Sequence, residues 1–131
     1  MDNESGSGQP REVRCDVLVV GAGAGGMTAA ITARKRGLDV LVVEKSQWFG
    51  GTTALSGGVL WVPGTRHAQK PDSPDEVRRY MRREAGAFYD ADMVDAFLEA
   101  GPKMVEFLER ETAVQFVPTL YPDYHPDYPG G

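Results

Sequence analysis

The chain has 131 residues, 14 Lys and Arg against 19 Asp and Glu, and a formal net charge of -5. With 41% hydrophobic and 25% charged residues it suits one packed domain, and its 16 glycines and 9 prolines cluster without a period, excluding collagen-like and disordered readings. The acidic balance argues against a nucleic-acid partner, and one cysteine, Cys15, allows neither an internal disulfide nor a cysteine-rich zinc site.

Residues 1–12 are polar, rich in Gly and Ser, and lack the apolar stretch of a secretory signal. They read as a disordered tail. No apolar run reaches the ~18 residues of a transmembrane helix, and a reducing, cytoplasmic setting is expected. Residues 15–20 (CDVLVV) form a short β-branched run, read as a strand buried on both faces because it does not alternate. Gly21-Ala-Gly23-Ala24-Gly25-Gly26 follows at once, and residues 27–36 read as a helix with a small-residue face at Ala29, Ala30 and Ala33. Gly37 stands where a helix ends, and residues 38–43 (LDVLVV) repeat the character of the first strand before Glu44-Lys45. Strand, glycine turn, helix and strand within about 30 residues make a βαβ unit.

From 46 to 63 the chain is aperiodic and rich in Gly, Ser and Thr, and 64–71 is a polar loop. Ser73-Pro-Asp-Glu76 is a capping box with proline at the first helical position, predicting a helix to about Ala85. A second helix is expected over 91–100, capped by Asp90 with Val94, Phe97 and Leu98 as its stripe. A third begins at Gly101-Pro102 and carries Met104, Val105, Phe107 and Leu108, read as core. Residues 114–117 read as a short strand, and the tail from Tyr121 is aromatic, proline-rich and irregular.

Gly21, Gly23 and Gly26 make G-x-G-x-x-G, weak alone but here framed by a strand, a helix and an acidic residue closing the second strand. Gly21 permits the tight turn, Gly23 lets backbone N–H groups approach a pyrophosphate, and Gly26 lets helix and strand pack closely. Phosphates would sit at the positive helix end against unpaired donors. Glu44 would accept hydrogen bonds from the adenosine ribose, and a carboxylate there disfavours the 2′-phosphate of NADP. Residues 50–58 follow with glycines and hydroxyls interleaved, offering donors and room for a bulky ligand. They point to FAD rather than NAD.

Glu44-Lys45 followed by Gly50-Gly51-Thr52-Thr53-Ala-Leu-Ser56-Gly57-Gly58 resembles the fumarate reductase/succinate dehydrogenase flavoprotein family, and more closely its FAD-dependent 3-ketosteroid dehydrogenase branch. Residues 53–63, 101–108 and the tail from Asp123 share the likeness, which runs from about Asp16 to Gly131. The resemblance implies an α/β fold: a Rossmann-like FAD-binding βαβ unit followed by helices, an incomplete part of a larger doubly wound flavoprotein fold. Residues 13–131 would be the N-terminal portion of the FAD-binding domain, with 45–63 lining the flavin and 73–112 helical. Its FAD contacts fall on Gly21, Gly23, Ala24, Gly25, Gly26, Glu44, Lys45, Gly51, Thr52, Thr53, Ser56, Gly57 and Gly58. The covalent-flavin branch carries a histidine just before the equivalent of Thr52; here Gly51 stands there, so the FAD is expected to be non-covalent.

The resemblance further implies oxidation of a 3-ketosteroid at C1–C2, by removal of the proton α to the carbonyl and hydride transfer to flavin N5. The electron acceptor is left open. Tyr124 matches the family's tail tyrosine best, with Tyr121 as the alternative, and a phenol acting as base needs its usual pKa of about 10 lowered. A second tyrosine and the rest of the fold lie downstream in the family, so a missing C-terminal portion or second chain is expected. Another dehydrogenase of the same group, a truncated FAD-binding fragment without activity, and a NAD-binding domain remain as alternatives. His67 and His125 read as exposed loop residues, and Arg78, Arg79, Arg82 and Arg83 as a solvated face. No His, Asp or Glu cluster has metal-ligand spacing.

Overall fold

The computed structural model describes residues 12–131, so the tail expected over residues 1–12 lies, but for Glu12, outside the described residues. The chain divides into two compact units, one ending at Val59 and the other spanning Leu60–Gly131.

In the first unit, β1 (Val17–Val20), α1 (Ala24–Lys35) and β2 (Val40–Val43) form the expected βαβ unit. The two VLVV segments pair in parallel with Val17 opposite Val40 and Val20 opposite Val43. Asp16 and Asp39, each preceding one of these segments, extend the pairing: the Asp16 N–H donates to the Asp39 carbonyl, and the Asp39 N–H to Asp16 Oδ2. α1 begins three residues before the sequence expectation, at Ala24. It ends on Gly37 at φ 86°, whose N–H donates to the Arg34 carbonyl while Leu38 N–H donates to that of Ala33. That pair of bonds closes a helix through a residue in left-handed conformation, which glycine adopts without steric cost. Val19, Ala22 and Ala30 are buried here.

The expectation that the first strand is buried on both faces is corrected. Leu18 and Val20 are 55% and 79% exposed, because the sheet has two strands among the described residues and α1 covers one face of it. A short 3-10 helix over Gly51–Leu55 replaces the expected irregular stretch.

In the second unit, α2 (Pro74–Ala85) starts at Ser73, whose hydroxyl accepts the Glu76 N–H, with proline in the first turn. Asp75 and Glu76 at its start and Arg82 and Arg83 at its end complement the helix dipole. The expected pair of helices after Asp90 is one, α3 (Ala91–Glu111), with Pro102 in its interior. Pro102 removes the bond that the Leu98 carbonyl would otherwise accept, and the helix continues. Gly101 serves packing rather than termination: a Cβ there would lie 2.8 Å from Val62 Cγ1.

Val77 on α2 and Val94, Val105 and Leu108 on α3 are buried, with Phe97, Met104 and Phe107 half-buried beside them. Trp61 stacks on Phe97 and lies against Tyr80, with ring centroids 6.2 Å and 5.8 Å apart. Arg78 is half-buried and bonds both Asp75 and Asp95, tying α2 to α3, whereas Arg79, Arg82 and Arg83 are exposed as expected. The strand expected over 114–117 does not form. Its backbone is satisfied by side chains instead, the Val114 N–H donating to Thr112 Oγ1 and the Phe116 N–H to Glu109 Oε1.

Candidate functional site

The glycine turn is held by both strands. Gly21, at φ 101°, donates its N–H to the Val43 carbonyl across the sheet, 2.8 Å away. The next N–H, of Ala22, donates to Glu44 Oε2 at 2.8 Å, and the Ala22 carbonyl accepts the Gly50 N–H at 2.8 Å. Gly26 cannot carry a side chain: a Cβ there would collide with the Gly21 carbonyl oxygen and press on Val19 Cγ1. Gly51, at φ 56°, backs onto the turn, where its Cβ would come 3.1 Å from Gly23 Cα. The two glycine motifs, 24 or more residues apart in sequence, therefore meet at one place.

α1 starts at Gly23 with no side-chain cap. Its first internal bond comes from Met27 N–H to the Gly23 carbonyl, so the N–H groups of Gly23, Ala24, Gly25 and Gly26 have no acceptor among the described residues. Four unpaired donors at a helix start, on residues without bulky side chains, form an anion-binding surface. The donor set and the space both fit a pyrophosphate.

Beside it Glu44 is half-buried and accepts one backbone N–H at each oxygen, from Ala22 and Ser46. The Ser46 and Ala22 bonds, helped by Lys45, outweigh burial and hold its carboxyl below the ordinary value of 4.5. Glu44 is thus anionic at neutral pH, with lone pairs left for further donors such as hydroxyls. Thr52, Thr53, Gly57 and Gly58 are exposed along the following segment. Ser56 makes a local turn, its hydroxyl donating to the Thr53 carbonyl and accepting the Gly58 N–H. Lys45 is exposed.

Of the sequence-predicted site residues, Gly21 to Gly26, Glu44 and Gly51 come together, with Thr52 to Gly58 continuing from Gly51 in the same unit. Tyr121 and Tyr124 belong to the second unit, and both are exposed. Two groups there escaped the sequence reading. Glu109, 8% exposed, accepts Arg66 Nη2 and pairs with His67 Nε2, each at 2.8 Å, and also accepts the Phe116 N–H. Burial pushes its carboxyl up, but the bonds from His67, Phe116 and Arg66 prevail and leave it low. This corrects the reading of His67 as an exposed loop residue: its side chain is half-buried and paired with Glu109. The signal available was a glutamate on the buried stripe of α3, four residues after Val105.

The second group is Tyr80 with Asp123, joined by a 2.7 Å hydrogen bond. His125 is likewise half-buried rather than exposed, stacked on Tyr128. Among the described residues no group of three or more His, Cys, Asp or Glu could hold a metal ion, and no helix is long and apolar enough to cross a membrane.

Comparison with known proteins bears on the ligand. The family described as "FAD binding domain" matches residues 16–127. A 4-oxocyclohex-2-ene-1-carboxylate 5-dehydrogenase of Sinomonas cyclohexanicum is 50% identical over 93% of this chain and 21% of its own length. A 3-oxosteroid 1-dehydrogenase of Mycolicibacterium smegmatis is 42% identical over 88% of this chain and 21% of its own. A solved 3-ketosteroid delta1-dehydrogenase from Sterolibacterium denitrificans, in complex with 1,4-androstadiene-3,17-dione, superposes with a TM-score of 0.80 at 44% identity, covering 88% of this chain and 21% of that one. The chain thus spans about a fifth of the length of the relatives it matches. With a family match over most of its length and a glycine turn shaped for a pyrophosphate, the chain belongs to the FAD-binding-domain family, and its cofactor is FAD.

Proposed function

We propose that this chain is the FAD-holding portion of a dehydrogenase that desaturates a CH–CH bond beside the carbonyl of a six-membered cyclic ketone, with a 3-ketosteroid oxidised at C1–C2 as the substrate. One observation carries the reading: the row of unpaired N–H groups over residues 23–26, set beside the Glu44 carboxylate. Those N–H groups bind the pyrophosphate, and Glu44 receives the ribose hydroxyls. Gly51, Thr52, Thr53, Ser56, Gly57 and Gly58 line the rest of the cofactor, Lys45 flanks it, and the larger fold is a doubly wound sheet of which β1 and β2 are part.

FAD, when bound, supplies the acceptor for the hydride leaving the β-carbon. Tyr124, or Tyr121 in its place, takes the α-proton; the electron pair left on the α-carbon closes the new double bond as the hydride departs. The cofactor is held without a covalent bond, since Gly51 offers no side chain to attach it. The identity with 4-oxocyclohex-2-ene-1-carboxylate 5-dehydrogenase supports a second reading, in which the cyclic ketone is a small ring carboxylate.

Purified protein tests this directly. Absorbance bands of a flavin, released by denaturation into the soluble fraction, are expected; a colourless protein that also fails to take up added FAD overturns the proposal. Turnover of 4-androstene-3,17-dione with an artificial electron acceptor, compared with 4-oxocyclohex-2-ene-1-carboxylate, separates the two substrates. FAD uptake without turnover of either assigns the chain as a binding portion only.

A further inference from the structure

We propose that Asp123, gripped by Tyr80 of α2, is a positioning residue that holds the backbone at Tyr124 so that its phenol is presented outward to the cyclic ketone. This inference rests on the reading above for the role of Tyr124, and it goes beyond that reading in naming what holds the tyrosine.

The residues on either side of Tyr124 are anchored, and Tyr124 is not. Asp123 Oδ1 accepts two hydrogen bonds, from the Tyr80 hydroxyl at 2.7 Å and from the His125 N–H at 2.8 Å. The first joins the tail to α2, and the second closes a tight turn around residue 124. His125 in turn stacks on Tyr128, with centroids 4.4 Å apart and planes 8° from parallel, and faces Glu84 Oε2 at 3.6 Å. Tyr128 lies 6.0 Å from the Tyr80 ring and 5.3 Å from the Arg83 guanidinium. Gly130, at φ 91°, packs so tightly on the Glu76 carbonyl that a side chain there would collide with it.

Glu76, Tyr80, Arg83 and Glu84 follow the i, i+4, i+7, i+8 spacing that places residues on one helical face, and that face grips residues 123–130. Tyr124 alone in the middle is 87% exposed, with no hydrogen bond or ring contact among the described residues. A loop anchored at both neighbours restricts the backbone that carries the side chain before any ligand arrives, which lowers the ordering cost of binding. Tyr121 has no such support. It is exposed and lies outside the turn, so the same geometry favours Tyr124 over Tyr121.

The clamp is chemically durable. Donation to Asp123 pushes the Tyr80 hydroxyl up to about 12, and the His125 N–H and Tyr80 bonds hold the Asp123 carboxyl below its ordinary 3.8.

Backbone 15N relaxation of the full 131-residue chain tests the clamp. The amide of Tyr124 is expected to show an order parameter of about 0.85 in the native protein and in Asp123→Asn, whose amide oxygen can accept both bonds. It should fall below about 0.6 in Asp123→Ala and in Tyr80→Phe, with α3 signals unchanged. A native value already below about 0.6, or no change in Tyr80→Phe, overturns the clamp. Should Asp123→Ala fail to fold, the Tyr80→Phe and Asp123→Asn pair decides. Adding 4-androstene-3,17-dione to the FAD-loaded protein then separates the two claims. Shifts at the Tyr124 ring that Asp123→Asn keeps and Tyr80→Phe weakens support positioning. An ordered Tyr124 that never responds to the ketone overturns its catalytic reading while the clamp stands.

Discussion

Glu44 and Glu109 are both carboxylates at or near the end of a secondary-structure element, and both are held anionic by hydrogen bonds, yet their surroundings differ in kind. Glu109 is nearly filled: a guanidinium, an imidazole and a backbone N–H take three of its roughly four acceptor positions in a buried place. Glu44 bonds one N–H at each oxygen and stands beside four backbone donors that have no acceptor among the described residues. Native chains pair nearly all their buried polar groups, and groups left open at a turn mark where a ligand completes the pattern. The buried carboxylate of the second unit is taken up by that unit's own donors, whereas the glycine turn of the first leaves four donors open among the described residues.

The sharpest way to break this comparison is Gly26→Val. The side chain has no room between the Gly21 carbonyl and Val19, so FAD uptake should vanish and the first unit lose about 3 kcal/mol. A FAD titration with circular dichroism checks both. Acid should come next in effect. Glu44, Glu109 and Asp123 all have lowered folded-state values, so their contribution is present above the ordinary values of 4.5 for Glu and 3.8 for Asp and lost as pH falls through the lowered ones. Tyr80 has the opposite sense: its contribution is present below about 10 and lost as pH rises through about 12. Thermal melts from pH 2 to 12 should therefore fall at both ends.

Glu109→Ala strands Arg66, His67 and the Phe116 N–H without their acceptor, and should lower the melting temperature more than His67→Ala. Hydrogen exchange is expected to rise over residues 64–72 and 114–117 while FAD binding is kept. Glu44→Gln should weaken FAD binding roughly tenfold through loss of a charged acceptor, and should lower the melting temperature less than Glu109→Ala, because one of the two oxygens that accept the Ala22 and Ser46 N–H groups becomes a donor. Ser73→Ala, which removes the N-cap of α2, should cost only about 1 kcal/mol and leave FAD binding untouched, as chemical denaturation would report.

What could be read ahead of the structure was local. The repeated Asp-Val-Leu-Val-Val segments, the G-x-G-x-x-G turn between them and Ser73-Pro-Asp-Glu76 each carry their geometry within a few residues, and β1, α1, β2 and the start of α2 follow. Contacts made across the chain stayed hidden. Glu109 meets residues 42 and 43 positions earlier, and Tyr80 meets Asp123 at a separation of 43. No periodicity announces such pairs. Gly101-Pro102 misled for a related reason: the pair carries the signature of a helix break, yet the glycine is spent on the approach of Val62 while the flanking turns of α3 hold the helix together. Val20 misled in the other direction, since an apolar strand implies two covering layers and the described residues of its own unit supply one, α1.

Fluorescence titration of FAD with the native chain and with Gly26→Val tests the central claim most directly. Saturable quenching by the native chain that disappears in the variant, with the flavin recovered free after denaturation, is the predicted result. A flat titration for both proteins, or equal binding by both, would contradict the assignment of residues 21–26 as the cofactor turn.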